Sequence, residues 1–205
     1  MAKLKIKAWV NCPMRIRPVY VKIKEKLSHQ KISFRITGGQ WGLITNAIHY
    51  LDFVSYLTGE TDFTVDTSRL DKKIWPAKRK GFFELNGTLS ADFLNGSHCE
   101  LIEYSSGNAP WLIEIFNQDQ RYLIQGLDRI WNSNAQDRWQ WKGQAFKTPL
   151  ISETTTTVTE DIIKKGRCAL TPYPESAKIH LALLEPLRLF LNKNSGKKYD
   201  YFPFT

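Results

Sequence analysis

The residues best suited to chemistry lie in one short segment, Gly42–Gly59, which reads GLITNAIHYLDFVSYLTG. His49 is its one histidine. An imidazole has an unperturbed pKa of about 6.5, so it can take or give a proton at neutral pH. Thr45 and Asn46, just upstream, can each hydrogen-bond a substrate hydroxyl, and neither carries a charge. Asp52 lies within touching distance of His49 if the segment is helical, although a salt-bridged or capping carboxylate is the plainer reading. Arg15 and Arg17 have the spacing to grip an anion, such as a sugar carboxylate or a nucleotide diphosphate, through paired hydrogen bonds. An ordinary surface pair reads equally well. Trp139 and Trp141 can stack on a sugar ring, but same-face tryptophans in a sheet more often pack a core or an interface. Lys72–Lys80, KKIWPAKRK, sets bases around a tryptophan as a nucleic-acid contact does. A solvated basic loop is the plainer reading.

Other chemistries find no support. Cys12, Cys99 and Cys168 are far apart, form no C-x-x-C and are odd in number. Neither a disulfide framework nor a zinc site is expected, and reduced thiols fit a cytoplasmic protein. No apolar run approaches the roughly 18–20 residues that cross a bilayer, and MAKLKIKAWVNCP lacks the apolar core of a secretory signal. The net charge of +9 invites an acidic partner. The lysines are scattered rather than massed, which points to solvated faces. Neither G-x-G-x-x-G nor G-x-x-x-x-G-K-[ST] occurs, so no dinucleotide cradle is expected from this chain alone.

Period and punctuation outline the elements that position these residues. The 205 residues suit a single domain. Lys3–Trp9 alternates charged and apolar residues, as an edge strand does. Val19, Ile23 and Leu27 recur at helical spacing, and Ile32–Thr37 is a short β-rich run ending in Gly38–Gly39. Gly42–Gly59 predicts a helix that Asn46 caps and Gly59 closes. Its apolar stripe is Ile44, Ala47, Ile48, Leu51, Val54 and Leu57, and Thr45, His49, Asp52 or Phe53, and Tyr56 share another face. Phe82–Glu84, Leu85–Phe93, Cys99–Tyr104, Trp111–Phe116, Arg121–Gln125 and Arg138–Trp141 follow as short β-like runs with turn-forming clusters among them, a meander of about six strands. Ser152–Gly166 predicts a helix with a glycine C-cap. Pro172–Lys193 predicts another, which Pro186 should kink or restart. The order of elements implies an α+β fold: an open, mostly antiparallel sheet covered by helices on one face, with no Rossmann unit.

At this point the sequence resembles a known family. The run Gly42, Leu43, Ile44, Thr45, Asn46, Ala47, Ile48, His49, Asp52 is similar to the motif that opens the second, dihydrodipicolinate-reductase-like domain of the Gfo/Idh/MocA (glucose–fructose oxidoreductase/inositol dehydrogenase) family. VNCPMRIRP resembles that family's crossing strand and arginine–proline signature. LTPYPESAKIHLALLEPLRLFLNKNSGKKYDYFPFT resembles its last helix and closing proline–threonine.

The resemblance implies that His49 is the acid/base, moving the proton of a sugar hydroxyl while hydride passes to a nicotinamide. It also places His180 near the substrate. The usual aspartate one helical turn before the histidine is Thr45 here, and no Glu-Lys-Pro lysine motif is present. The implied protein is therefore the substrate-binding half of an NAD(P)-dependent sugar or sugar-nucleotide oxidoreductase. It binds no cofactor by itself and is completed by a Rossmann-domain partner. A homo-oligomer formed through the sheet face is the implied assembly. A non-catalytic binding or scaffolding domain of the same descent is the competing reading. A basic nucleic-acid binder rests on charge alone.

Overall fold

The computed structural model describes residues 6–27 and 29–204. A 3-10 turn at Pro13–Ile16 leads into α1, Pro18–Leu27. Pro18 has its φ already set for the first helical position, and Tyr20, Ile23 and Leu27 form the buried face. β2, Ser33–Gly39, alternates strictly: Phe34 and Ile36 point inward while Arg35 points out. α2, Leu43–Thr58, begins after Gly42 and ends at Gly59, both left-handed, and the Gly59 amide closes on the Ser55 carbonyl. The helix entry is therefore set by glycine. Asn46 lies inside the helix and donates to the carbonyls of Trp41 at 2.6 Å and Gly42 at 3.0 Å, so it is not the N-cap that the sequence suggested.

The remaining strands are β3 (Phe63–Asp66), β4 (Leu70–Pro76), β5 (Phe83–Phe93), β6 (His98–Tyr104), β7 (Leu112–Phe116), β8 (Gln120–Gln125), β9 (Arg129–Asn134) and β10 (Lys142–Ala145). Together with β2 they make a nine-stranded open sheet in the order β10-β9-β8-β7-β2-β6-β5-β3, with β4 also paired to β5. β2 precedes the meander in sequence yet lies at its centre, antiparallel to β7 and parallel to β6. Every other pairing in this sheet is antiparallel. The inward side chains of β5, Leu85, Leu89, Ala91 and Phe93, join Phe34, Ile36, Cys99, Leu101, Ile113 and Ile115 in one core. α2 lies over β5 and β6. α4, Tyr173–Ser195, packs on α2, β3 and β4. The α+β architecture with one helix-covered face is as expected from sequence.

Several boundaries differ from expectation. Of the proposed first strand, Lys3–Lys5 lies outside the described residues, and only Trp9–Val10 (β1) pairs, with Thr171–Pro172 (β11). Arg138–Trp141 is no strand. Arg138 and Trp139 take φ of 54° and 59° in a turn, and the strand follows them at Lys142. Trp139 and Trp141 are exposed and share no sheet face. Half of the basic loop KKIWPAKRK is strand β4, with the Lys73 ammonium 3.6 Å from the centre of the Trp75 ring. α4 continues through Pro186 to Ser195. α3, Ile151–Lys165, buries none of its residues. In its threonine run the hydroxyls of Thr154–Thr157 bond carbonyls three or four residues back, which accommodates them within the helix.

Candidate functional site

His49 sits on α2 one turn beyond Thr45, at the side approached by α4 and by the junction between the 3-10 turn and α1. That junction carries Arg17, whose carbonyl accepts the first helical amide of α1, from Val21, at 3.0 Å. α4 carries His180. Burial, then the neighbouring His180 and Arg17, hold the His49 imidazole below its ordinary pKa. It is therefore neutral at pH 7 and able to accept a proton. Its Nδ1 is buried and has no hydrogen-bond partner among the described residues. A buried polar atom left unpaired is costly and calls for an explanation.

His180 has a fixed orientation. Its Nδ1 lies 2.7 Å from the Ser176 carbonyl and 3.2 Å from the Ser176 hydroxyl. A carbonyl only accepts, so Nδ1 carries the hydrogen, and in the neutral ring Nε2 is the acceptor. Arg17 is half-buried and forms no ion pair among the described residues; its charge pulls the Tyr20 phenol down against a larger rise from burial. Tyr50, beside His49 in sequence, has its hydroxyl driven well above the ordinary tyrosine range by burial and by Tyr20, against the pull of Arg17. Tyr20 is buried against Phe53, and Tyr50 packs on Phe34 and Trp41.

Arg15 lies elsewhere. Its guanidinium clamps the Asp52 carboxylate through Nε at 3.0 Å and Nη2 at 2.9 Å. It also reaches Glu175 at 3.2 Å and the Asp52 carbonyl at 3.3 Å. The Thr171 hydroxyl donates to the same carboxylate. The guanidinium further lies over the Tyr56 ring. Arg15 is buried and its donors are committed to holding the 3-10 turn, α2 and α4 together.

Thr45 and Asn46 stand at the start of α2, at a cleft of about 720 Å³ that also takes in Trp41, Lys78, Arg79, Glu84 and Glu103. The Thr45 hydroxyl donates to Glu84 at 2.8 Å. Glu84 also accepts the amides of Ile44 at 2.6 Å and Thr45 at 3.3 Å. Glu103 accepts those of Gly42 at 3.2 Å and Leu43. Two carboxylates therefore occupy the positive end of the helix, which could otherwise bind an anion. Burial raises the Glu103 carboxyl, and these amides pull it back down. This donor set does not fit a dinucleotide pyrophosphate: its amides are taken, and by like charge.

The candidates thus fall into three places. Arg17 and His180 act on His49 through their charge, Thr45 and Asn46 lie one turn along the same helix, and Arg15 is behind. Sequence reasoning passed over Tyr20, Tyr50, Glu84 and Glu103. Tyr50 adjoins His49 and could have been noticed. The two glutamates arrive from separate strands with no local signal.

No family model and no curated protein matches the chain. Solved structures do. A UDP-N-acetylglucosamine 3-dehydrogenase from Acidithiobacillus ferrooxidans superposes with a TM-score of 0.61 at 14% identity, over 90% of this chain and 61% of that one. A Gfo/Idh/MocA family oxidoreductase from Vibrio cholerae gives 0.55 at 14% identity over 90% and 61%. A levoglucosan dehydrogenase in complex with NADH and L-sorbose gives 0.53 at 14% identity over 95% and 64%. The chain spans 61% to 65% of the length of these and the other leading matches. By its sheet and helices, it has the fold of the second domain of the Gfo/Idh/MocA oxidoreductases.

Proposed function

We propose that this chain is the substrate-side part of a Gfo/Idh/MocA-type, NAD(P)-dependent oxidoreductase acting on a sugar or sugar nucleotide, with His49 as the proton acceptor. The observation that carries this reading is the His49 imidazole itself: neutral, half-buried, its Nδ1 without a partner, beside Arg17 and His180. His49 takes the proton of a substrate hydroxyl as that carbon is oxidised. Arg17 and His180 orient the substrate, and Thr45 and Asn46 line its approach from the helix end. Arg15 supports them from behind by fixing α2. The oxidant comes from a dinucleotide-binding domain outside these residues, on the same polypeptide or another.

The uncovered sheet face serves to join subunits. It presents Ile102, Leu112, Phe116, Leu123 and Trp131, all half-buried. These surround an ion-pair ladder in which Arg35 meets Glu100 at 2.8 Å and Arg69 meets the same carboxylate at 2.7 Å. No helix of the described residues is long and apolar enough to cross a membrane, and Cys12, Cys99 and Cys168 are free thiols. Both accord with a cytoplasmic enzyme.

The test is to join the chain to a dinucleotide-binding domain of this enzyme class and follow nicotinamide reduction with a panel of sugars. Turnover is expected, and His49→Ala should lower it by about 10²–10⁴-fold, the usual contribution of general acid–base catalysis. Turnover that survives His49→Ala unchanged refutes the assignment. One observation favours a second reading, a binding domain without catalysis: Thr45 stands where the family's aspartate would be and gives its hydroxyl to Glu84. Sugar binding without turnover in the joined protein would select that reading.

A further inference from the structure

Resting on the reading of this chain as the substrate-side part of a sugar oxidoreductase, we propose that the cleft at the start of α2 holds the substrate's sugar ring against Trp41, and that Lys78 and Arg79 receive a phosphoryl group carried by that sugar. The substrate class is a phosphorylated sugar, as a phosphate ester or as the diphosphate of a sugar nucleotide, rather than a neutral sugar. One cavity of about 720 Å³ brings Gln40, Trp41 and Asn46 together with Lys78 and Arg79, and its volume is that of a small-molecule site.

One wall offers what a sugar ring needs. The Trp41 indole is half-buried. It donates its Nε1 hydrogen to the Ile102 carbonyl at 3.1 Å and meets the Tyr50 ring edge-on at 5.5 Å. Two contacts thus fix a flat apolar surface at the cleft. Asn46 spends its amide nitrogen on the Trp41 and Gly42 carbonyls, and Gln40 spends its own on the Gly107 carbonyl at 3.2 Å. A carbonyl only accepts, so each side-chain amide keeps its oxygen for a donor. Neither oxygen has a partner among the described residues, and sugar hydroxyls can supply one.

The other wall supplies charge. Lys78 and Arg79 lie in the hairpin between β4 and β5, which the Ala77 amide closes on the Phe82 carbonyl at 2.9 Å and the Phe82 amide on the Arg79 carbonyl at 3.2 Å. The Arg79 guanidinium stands 5.5 Å from the centre of the Phe82 ring. Neither cation forms an ion pair among the described residues. Glu84 and Glu103 share the cleft, but their oxygens are taken by the amides of residues 42–45. Those amides are closed to a phosphate, so the hairpin is what remains for it: Arg79 brings a planar fork and Lys78 a point charge. The rest of the basic run is placed otherwise. Lys73 folds onto the Trp75 ring, and Lys72 and Lys80 lie outside the cleft. Two cations beside one pocket match a single phosphorylated ligand, whereas a nucleic-acid strand needs a charged groove that follows its backbone.

The experiment titrates the 205-residue chain with D-glucose, D-galactose and N-acetyl-D-glucosamine, each as the free sugar, the 1-phosphate, the 6-phosphate and the UDP derivative. Inorganic phosphate and heparin are titrated alongside. Calorimetry reads affinity. The indole N–H NMR signal of Trp41, assigned with Trp41→Phe, reads occupation of the cleft. At least one phosphorylated sugar should bind roughly tenfold or more tightly than its free parent, the factor expected of a charge-assisted hydrogen bond, and should move the Trp41 signal. Which derivative does so separates an ester from a sugar nucleotide. Lys78→Gln/Arg79→Gln should erase the preference. Lys26→Gln, which removes a charge from an exposed position of α1 outside the cleft, should keep it. Thermal unfolding of each variant reports its folding.

Equal binding of free and phosphorylated sugars, with the Trp41 signal still moving, leaves the sugar cleft standing and overturns the phosphoryl site. A preference that survives Lys78→Gln/Arg79→Gln overturns it too. Inorganic phosphate or heparin binding as tightly as the best phosphorylated sugar marks a general anion patch and has the same effect. If no sugar, free or phosphorylated, moves the Trp41 signal, the cleft is not the substrate's path and the inference falls with it. The role of His49 is judged separately, by turnover of the joined protein.

Discussion

The buried Arg15–Asp52 pair predicts an asymmetric response to losing either partner. The Asp52 side chain is 1% exposed and the Arg15 side chain 8%. Breaking a buried pair costs about 3–5 kcal/mol, chiefly because one charge is left uncompensated. The two halves are not equally provided for. Without Asp52, Arg15 still has Glu175, itself one-third exposed, and the Asp52 main-chain carbonyl, which any residue at 52 supplies. Without Arg15, the Asp52 carboxylate keeps only the Thr171 hydroxyl.

Asp52→Ala should therefore fall near the lower end, about 3 kcal/mol, and Arg15→Met near the upper, about 5 kcal/mol. Burial already pushes the Asp52 carboxyl up against the pull of Arg15, so deleting Arg15 raises it further. A carboxyl raised in the folded state contributes stability below its unfolded pKa that is lost as pH rises through the folded value. The Arg15→Met deficit should therefore be smallest in acid and grow toward neutrality. The Arg15→Met/Asp52→Leu double variant, with no charge left to strand, should recover most of the loss. Urea unfolding followed by tryptophan fluorescence measures all three. Arg15→Met costing less than Asp52→Ala, or both costing under about 1 kcal/mol, refutes the idea that a dry, fully committed clamp fixes α2.

Two further outcomes follow from local geometry. Gly87 has φ of +100° and faces backbone: an added Cβ would lie 2.7 Å from the Arg69 carbonyl oxygen and the Asp71 amide nitrogen, whereas Gly81, at φ +87°, has nothing within 4 Å. Gly81→Ala should thus cost only the left-handed strain, about 1–2 kcal/mol. Gly87→Ala should cost clearly more, because β4 must move off β5; equal melting temperatures for the two variants would contradict this. The depressed His49 imidazole makes folding stability fall as pH drops below about 6.5, since the unfolded chain then takes up the proton first. His49→Gln should flatten the stability curve there, and an NMR titration should place the wild-type His49 midpoint below that of a model imidazole.

What could be read from sequence was what is local. The period and closing glycine of α2, the glycine after α3 and the alternation of β2 each declare an element within one window. β4 was missed because Lys72, Lys73 and Pro76 read as a loop. On an outer strand, lysines face water and the proline stands at the strand's last position. β9 was missed because Asn132 and Asn134 are turn formers whose strand context comes from β8 and β10. The place of β2 between β6 and β7 has no local signature, since its partners lie some 65 to 80 residues on. For the same reason Arg15 and Arg17 looked equivalent. Only tertiary structure separates them: Arg15 closes on Asp52 and Glu175, and Arg17 forms no ion pair among the described residues.

The start of α2 is held by carboxylates from two separate strands. Glu84 accepts the Ile44 and Thr45 amides and Glu103 those of Gly42 and Leu43, so negative charge sits at the positive end of the helix. Glu84→Gln keeps an acceptor oxygen and removes the charge. It should therefore cost about 0.3–2 kcal/mol, the worth of an anion at a helix N-terminus, read by urea unfolding and reduced in high salt. No loss at low salt would show that the carboxylate contributes its hydrogen bonds alone.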